Sequence, residues 1–87
     1  MTYIVSFEPL PRYTATVIKK QLMTLQSYCP VNAYCWAVST PMSAVQLRDY
    51  LMQVAPGSRI FVIRSGTEAA WVNAYGPKNT DWLKENL

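Results

Sequence analysis

Histidine is absent from the chain and cysteine occurs only twice, at Cys29 and Cys35. Without histidine there is no Cys–His or Ser–His catalytic pair, and two sulfurs alone cannot complete a tetrahedral zinc site. The thiols read as small apolar fillers. Charge is also scarce: charged residues are 15% of the chain, against about 25% in an average domain. Eight Lys/Arg against five Asp/Glu leave a net charge of +3. The basic residues are scattered apart from the Lys19-Lys20 pair, unlike the clustered basic stripe of most nucleic-acid-binding domains. Acid is rarer still toward the front, where Glu8 is the only carboxylate in the first 48 residues. No apolar run is long enough to span a bilayer, and Met1-Thr2-Tyr3 has no basic lead of the kind that opens a signal peptide. The expectation is a cytoplasmic protein with reduced thiols and no membrane partner.

What is present is apolar side chain, 51% of 87 residues. A chain of this size makes one domain, residues 1–87, and leaves a large share of its surface exposed. Much apolar surface with little charge to cover it points to burial against a second copy, so a homodimer is expected.

The pattern along the chain alternates strand and helix. Thr2 to Phe7 is β-branched and aromatic and is stopped by Glu8-Pro9-Leu10-Pro11, which predicts a strand. Thr14 to Gln26 predicts a helix, with Ile18, Leu22 and Leu25 on one side, Lys19 and Lys20 on the other, and Thr14 as N-cap. Pro30 and Asn32 break the run from Tyr28 to Thr40, so a short strand or bend, a turn, and then a stronger strand over Tyr34 to Ser39 are expected. There the bulkier set Tyr34, Trp36 and Val38 should face the helices, and Cys35, Ala37 and Ser39 the other side. Ser43 and Gln46 form an S-x-x-Q capping box, flanked by Met42 and Leu47 in the positions of a hydrophobic staple. The helix it opens carries Leu47, Tyr50, Leu51 and Val54 and ends at Ala55-Pro56-Gly57. Ser58 to Ser65 predicts a strand with Ile60, Val62 and Arg64 alternating against Arg59, Phe61 and Ile63. An apolar stretch, Ala69 to Tyr75, follows. A final helix, Thr80 to Leu87, is expected to be capped by Asn79 and to turn Trp82 and Leu83 inward.

This order predicts an α+β ferredoxin-like βαββαβ sandwich with a short C-terminal extension and helix. It has four antiparallel strands and both main helices on one face. The other face is then open, and a second copy is its expected cover.

The run Thr40-Pro41-Met42-Ser43-Ala44-Val45-Gln46-Leu47-Arg48-Asp49 resembles a group of small bacterial and phage proteins often labelled "SinR family". So do Trp36, Glu68-Ala69-Ala70-Trp71 and Asp81-Trp82-Leu83-Lys84. Tyr3-Ile4-Val5-Ser6-Phe7 is similar to that group's first strand. Nothing in the chain looks like the helix-turn-helix of the regulator from which the label comes. Proteins of this kind are similar to the CRISPR-associated ferredoxin-fold endoribonucleases and the VapD ribonucleases. Those are homodimers whose first strand ends in an aspartate thought to hold a divalent metal across the two-fold axis. The resemblance implies Glu8 as the catalytic acid, with Mg²⁺ or Mn²⁺ as the ion. The position is one methylene longer than aspartate and is followed by Pro9, and two-metal phosphodiester chemistry normally uses several carboxylates.

Two functions follow. One is a non-enzymatic module binding a protein or nucleic acid, in phage–host or defence biology. The other is a metal-dependent nuclease. Arg12, Lys19, Lys20 and Arg64 are the candidate contacts to phosphate or partner, and Glu68 is a possible ion-pair partner for Arg64. No metal ligands are otherwise assigned. Tyr3, Tyr34, Trp36, Phe61 and Trp71 have the chemistry of base-stacking platforms. No RNP-type Lys/Arg-Gly-Phe run accompanies them, so core and dimer packing is their expected role.

Overall fold

A computed structural model describes residues 1–10, 15–66, 70 and 78–87. The element order is β1 (Thr2–Glu8), α1 (Ala15–Leu22), β2 (Ser27–Asn32), β3 (Cys35–Ser39), α2 (Ala44–Met52), β4 (Arg59–Arg64) and α3 (Asn79–Asn86). The strands form one four-stranded sheet in the order β2-β3-β1-β4, every described pair antiparallel. This is a mixed α+β domain. The expected N-cap Thr14 and the apolar stretch Ala69 to Tyr75, apart from an exposed Ala70, lie outside the described residues.

Strand alternation divides the sheet into two faces. Tyr3, Val5 and Phe7 of β1 join Trp36 and Val38 of β3 on one of them. There they pack with Ile18 and Leu22 of α1 and Leu47 and Leu51 of α2 into the main core. The expected orientation of Trp36 and Val38 toward the helices is therefore observed. Tyr3 anchors the loop before α2 as well, its hydroxyl donating to the Met42 carbonyl at 2.8 Å.

The start of α2 is local chemistry. The Ser43 Oγ accepts from the Gln46 amide at 3.2 Å, and the Gln46 Oε1 accepts from the Ser43 amide at 2.9 Å. Both orphan donors are satisfied by the two residues themselves. Ser43→Ala is expected to cost about 1 kcal/mol, read as a fall in melting temperature of about 4–8 °C. An unchanged melting curve would remove the capping box from the account of this helix. After α2 the chain reverses at Gly57, whose φ is +82°. A Cβ there would stand 3.2 Å from Leu10 Cδ1, so both conformation and space call for glycine.

Three expectations need correction. Helix α1 ends at Leu22, short of Gln26, because the Thr24 and Leu25 amides turn back to the Gln21 and Leu22 carbonyls at 3.2 and 3.1 Å. The Thr24 hydroxyl also donates to the Gln21 carbonyl at 2.6 Å, competing with helix continuation. Pro30 does not end β2 but lies within it, with the register shifting between Pro30 and Asn32. This is tolerated because β2 is an edge strand, where a missing N–H costs no ladder bond. Asn79 is not the N-cap of α3: Lys78 holds that position without a side-chain cap. Asn79 is the first helical residue, and its Nδ2 donates to the Pro30 carbonyl at 2.6 Å.

The largest difference is a third layer. Leu83 of α3 is buried against Cys29 of β2 and Ala37 of β3 on the face opposite α1 and α2, with Ile4, Val31, Trp82 and Leu87 packed around them. The face expected to be open is thus covered over β2 and β3, and Ala37 has no exposed surface.

Candidate functional site

The residues singled out in the sequence fall at three separate places. The first is the end of the sheet where β1 finishes. Glu8, the last residue of β1, sits opposite Arg59, the first of β4. Arg59 Nη1 donates to Glu8 Oε1 at 2.8 Å. Both side chains are well exposed, so the pair contributes at most about 1 kcal/mol. A shallow groove of about 540 Å³ runs beside them, lined by Ser6, Ser58, Ile60 and Phe61 as well as the pair itself. The sequence reading missed Arg59 as the partner of Glu8. Its signal was positional: an acid ending one strand and a base opening another, visible once the register is known.

The second place is the same end of the sheet, on the α1 side. Phe7 and Glu8 are consecutive in β1 and so point to opposite faces. Phe7 meets the Tyr34 ring edge-on, with centroids 6.2 Å apart and planes at 80°. The Lys19 Nζ lies 6.0 Å from the centroid of the same ring. Tyr34 stands in the β2–β3 turn. Its amide donates to Asn32 Oδ1 at 3.1 Å, and its carbonyl accepts from the Phe7 amide at 2.9 Å. Lys20 follows Lys19 on α1 and is exposed.

Arg64 defines the third place. It pairs in register with Tyr3 at the far end of β4, about 17 Å along the strand from Arg59 at 3.4 Å per residue. The structure therefore does not bring Arg64 to Glu8 or to the lysines. Arg12 and Glu68 lie outside the described residues.

The aromatic residues divide in the same way. Tyr3 and Trp36 are core, as expected. Tyr34 and Phe61 are not, being 55% and 63% exposed, and Trp71 lies outside the described residues. On the outer face, the described cluster under α3 includes no residue of β4. There Phe61 and Ile63, the latter 48% exposed, stand two residues apart on one side of β4.

The divalent ion that the resemblance implies would be held by Glu8 from two copies of the chain. Glu8 already gives one oxygen to a guanidinium, and among the described residues no three His, Cys, Asp or Glu side chains are grouped to hold a metal. Both cysteines are free. Burial pushes the thiols of Cys29 and Cys35 above their ordinary range, which disfavours the thiolate needed for nucleophilic or metal chemistry. No described helix is long and apolar enough to cross a membrane.

Fold and site together define a small α+β domain with α1 and α2 on one face of its sheet and α3 over part of the other. No protein-family model, curated protein or solved structure matches the chain.

Proposed function

We propose that this chain is a ferredoxin-like, non-enzymatic binding module that works as a homodimer. The strand order β2-β3-β1-β4 with a β-α-β-β-α-β progression supports the ferredoxin-like reading. The observation that carries the dimer is the exposed apolar strip of β4 on the outer sheet face. Phe61 and Ile63 are large apolar side chains held in water on a rigid strand, beside a half-buried Ile4 that pairs with Ile63. Apolar residues grouped in this way at a sheet surface mark contact sites. A second copy, presenting the same strip about a two-fold axis, would cover it.

The metal-dependent nuclease reading fares less well on the same geometry. Two copies of Glu8 would have to serve as metal ligands, each with one carboxylate oxygen already bonded to Arg59.

Light scattering on the purified protein is expected to give twice the 9.9 kDa mass of one chain at micromolar concentration. Phe61→Arg is expected to give single chains, because the arginine cannot be buried at an interface without a partner. The residue is solvent-exposed in one chain, so melting of the monomer should change by about 0.5 kcal/mol or less. A wild-type mass of one chain, or a Phe61→Arg variant as dimeric as the wild type, would remove this interface. Cleavage of RNA or DNA with Mg²⁺ or Mn²⁺ that is lost in Glu8→Ala would replace the binding module with the nuclease.

A further inference from the structure

We infer that Tyr34, with Lys19 over one face of its ring and the opposite face for a base, is a stacking site for single-stranded nucleic acid. The inference rests on the reading of the chain as a binding module, but not on its dimer interface.

The first argument is rigidity without burial. An exposed aromatic side chain in a turn normally moves freely, and ordering it on binding costs about 0.5–1.5 kcal/mol. The backbone of Tyr34 is pinned on both sides, by Asn32 Oδ1 at its amide and by the Phe7 amide at its carbonyl. Its ring is braced edge-on by Phe7, which is itself 2% exposed. More than half of the tyrosine nevertheless faces water.

The second argument is charge. Among the described residues, neither Lys19 nor Lys20 makes an ion pair with a carboxylate. Glu8, the nearest acid in sequence to this end of β1, is held by Arg59 and points to the other face of the sheet. The Tyr34 end of α1 is therefore positive. Lys19 Nζ lies close enough to the ring to meet the phosphate of a nucleotide whose base lies on the tyrosine, with Lys20 one residue further along.

The third argument is geometry. A single projecting ring offers one π-face, which a base can use only when it is free of a duplex stack. An aromatic platform next to an unpaired cation is the combination that holds single strands without reading their sequence.

Fluorescence anisotropy with a labelled oligothymidylate about ten residues long tests this. The wild type is expected to bind it at low salt and to prefer it over a duplex of equal length. Tyr34→Ala should weaken binding about five- to a hundredfold, while Tyr34→Phe stays close to wild type. Lys19→Gln should reduce the slope of log affinity against log salt by about 0.7. Circular dichroism of Tyr34→Ala serves as the folding control. Absence of binding by the wild type, equal binding by a folded Tyr34→Ala variant, or equal affinity for duplex would each overturn the inference. A single chain that still binds the oligonucleotide through Tyr34 would leave this site standing and remove only the dimer. A dimer that binds no nucleic acid would do the reverse.

Discussion

Ala37→Arg is expected to strip α3 from the sheet. Ala37 lies at the centre of the outer face, opposite Cys29 on β2 and Ile4 on β1, with Leu83 of α3 packed over it. Nothing of its side chain reaches solvent, so a guanidinium placed there meets only apolar neighbours. Burying it unpaired costs several kcal/mol. Releasing α3 gives up the burial of Leu83 and part of that of Trp82 and Leu87, about 1.5–3 kcal/mol for each side chain fully buried. The second route is the cheaper one. An eight-residue helix has too little intrinsic stability to persist undocked, so it melts. Since α3 is one of three described helices of nearly equal length, helical ellipticity should fall by about a third. Trp82 fluorescence should shift to the red, and the C-terminus should become open to protease. Ala37→Ser, with nearly the same volume, should leave all three readouts in place. Unchanged ellipticity in Ala37→Arg would show that α3 does not cover this face.

A loss of about 2–5 kcal/mol is expected for Leu51→Ala. Leu51 is fully buried in the main core and belongs to the same stripe as Leu47, one turn earlier on α2. The cavity would open between the two helices and the sheet, where Gln21 Nε2 donates to the Tyr50 carbonyl at 3.1 Å and Thr24 Oγ1 meets the Tyr50 hydroxyl at 2.5 Å. These bonds hold α1 and α2 at a set spacing, so the cavity cannot easily collapse. Stability in a domain of this kind is about 5–15 kcal/mol in total, and the melting temperature should drop by more than about 10 °C. Leu51→Met should cost less than about 1.5 kcal/mol. Val45→Ala, on the exposed side of the same helix, should stay within about 0.5 kcal/mol. Equal losses from Leu51→Ala and Val45→Ala in urea titrations would mean that α2 presents a different face to the sheet.

The parts of this fold that could be read in the residues are those governed by near neighbours in the chain. Ser43 and Gln46 are three apart and satisfy each other, so the start of α2 was visible without any tertiary information. The alternation of Trp36, Ala37 and Val38 assigned their faces, because a strand allows only two. The third layer depends on longer range. Leu83, Trp82 and Leu87 marked α3 as amphipathic, but nothing local says that Cys29 and Ala37, some fifty residues earlier, are what they cover. The end of α1 went unread because Thr24 bonds back to Gln21, a side-chain choice that an apolar stripe continuing to Leu25 conceals. Of the candidate site residues, Glu8 was legible as a strand end, whereas its capture by Arg59 required the β1–β4 register. Tyr34 was grouped with the core aromatics because alternation placed it on the helix side with Trp36. It is exposed because β3 begins only at Cys35 and Tyr34 still belongs to the turn.

The contact between α3 and Pro30 bears on how the protein ages in solution. A sheet polymerises by strand addition only if both of its margins accept a neighbour. At Pro30 of β2 the proline withholds its donor and its acceptor is taken by Asn79, so the ladder a template strand would need is interrupted at this residue. A strand laid along β2 therefore meets a gap at Pro30, and a single side-chain amide works against edgewise growth of natively folded chains.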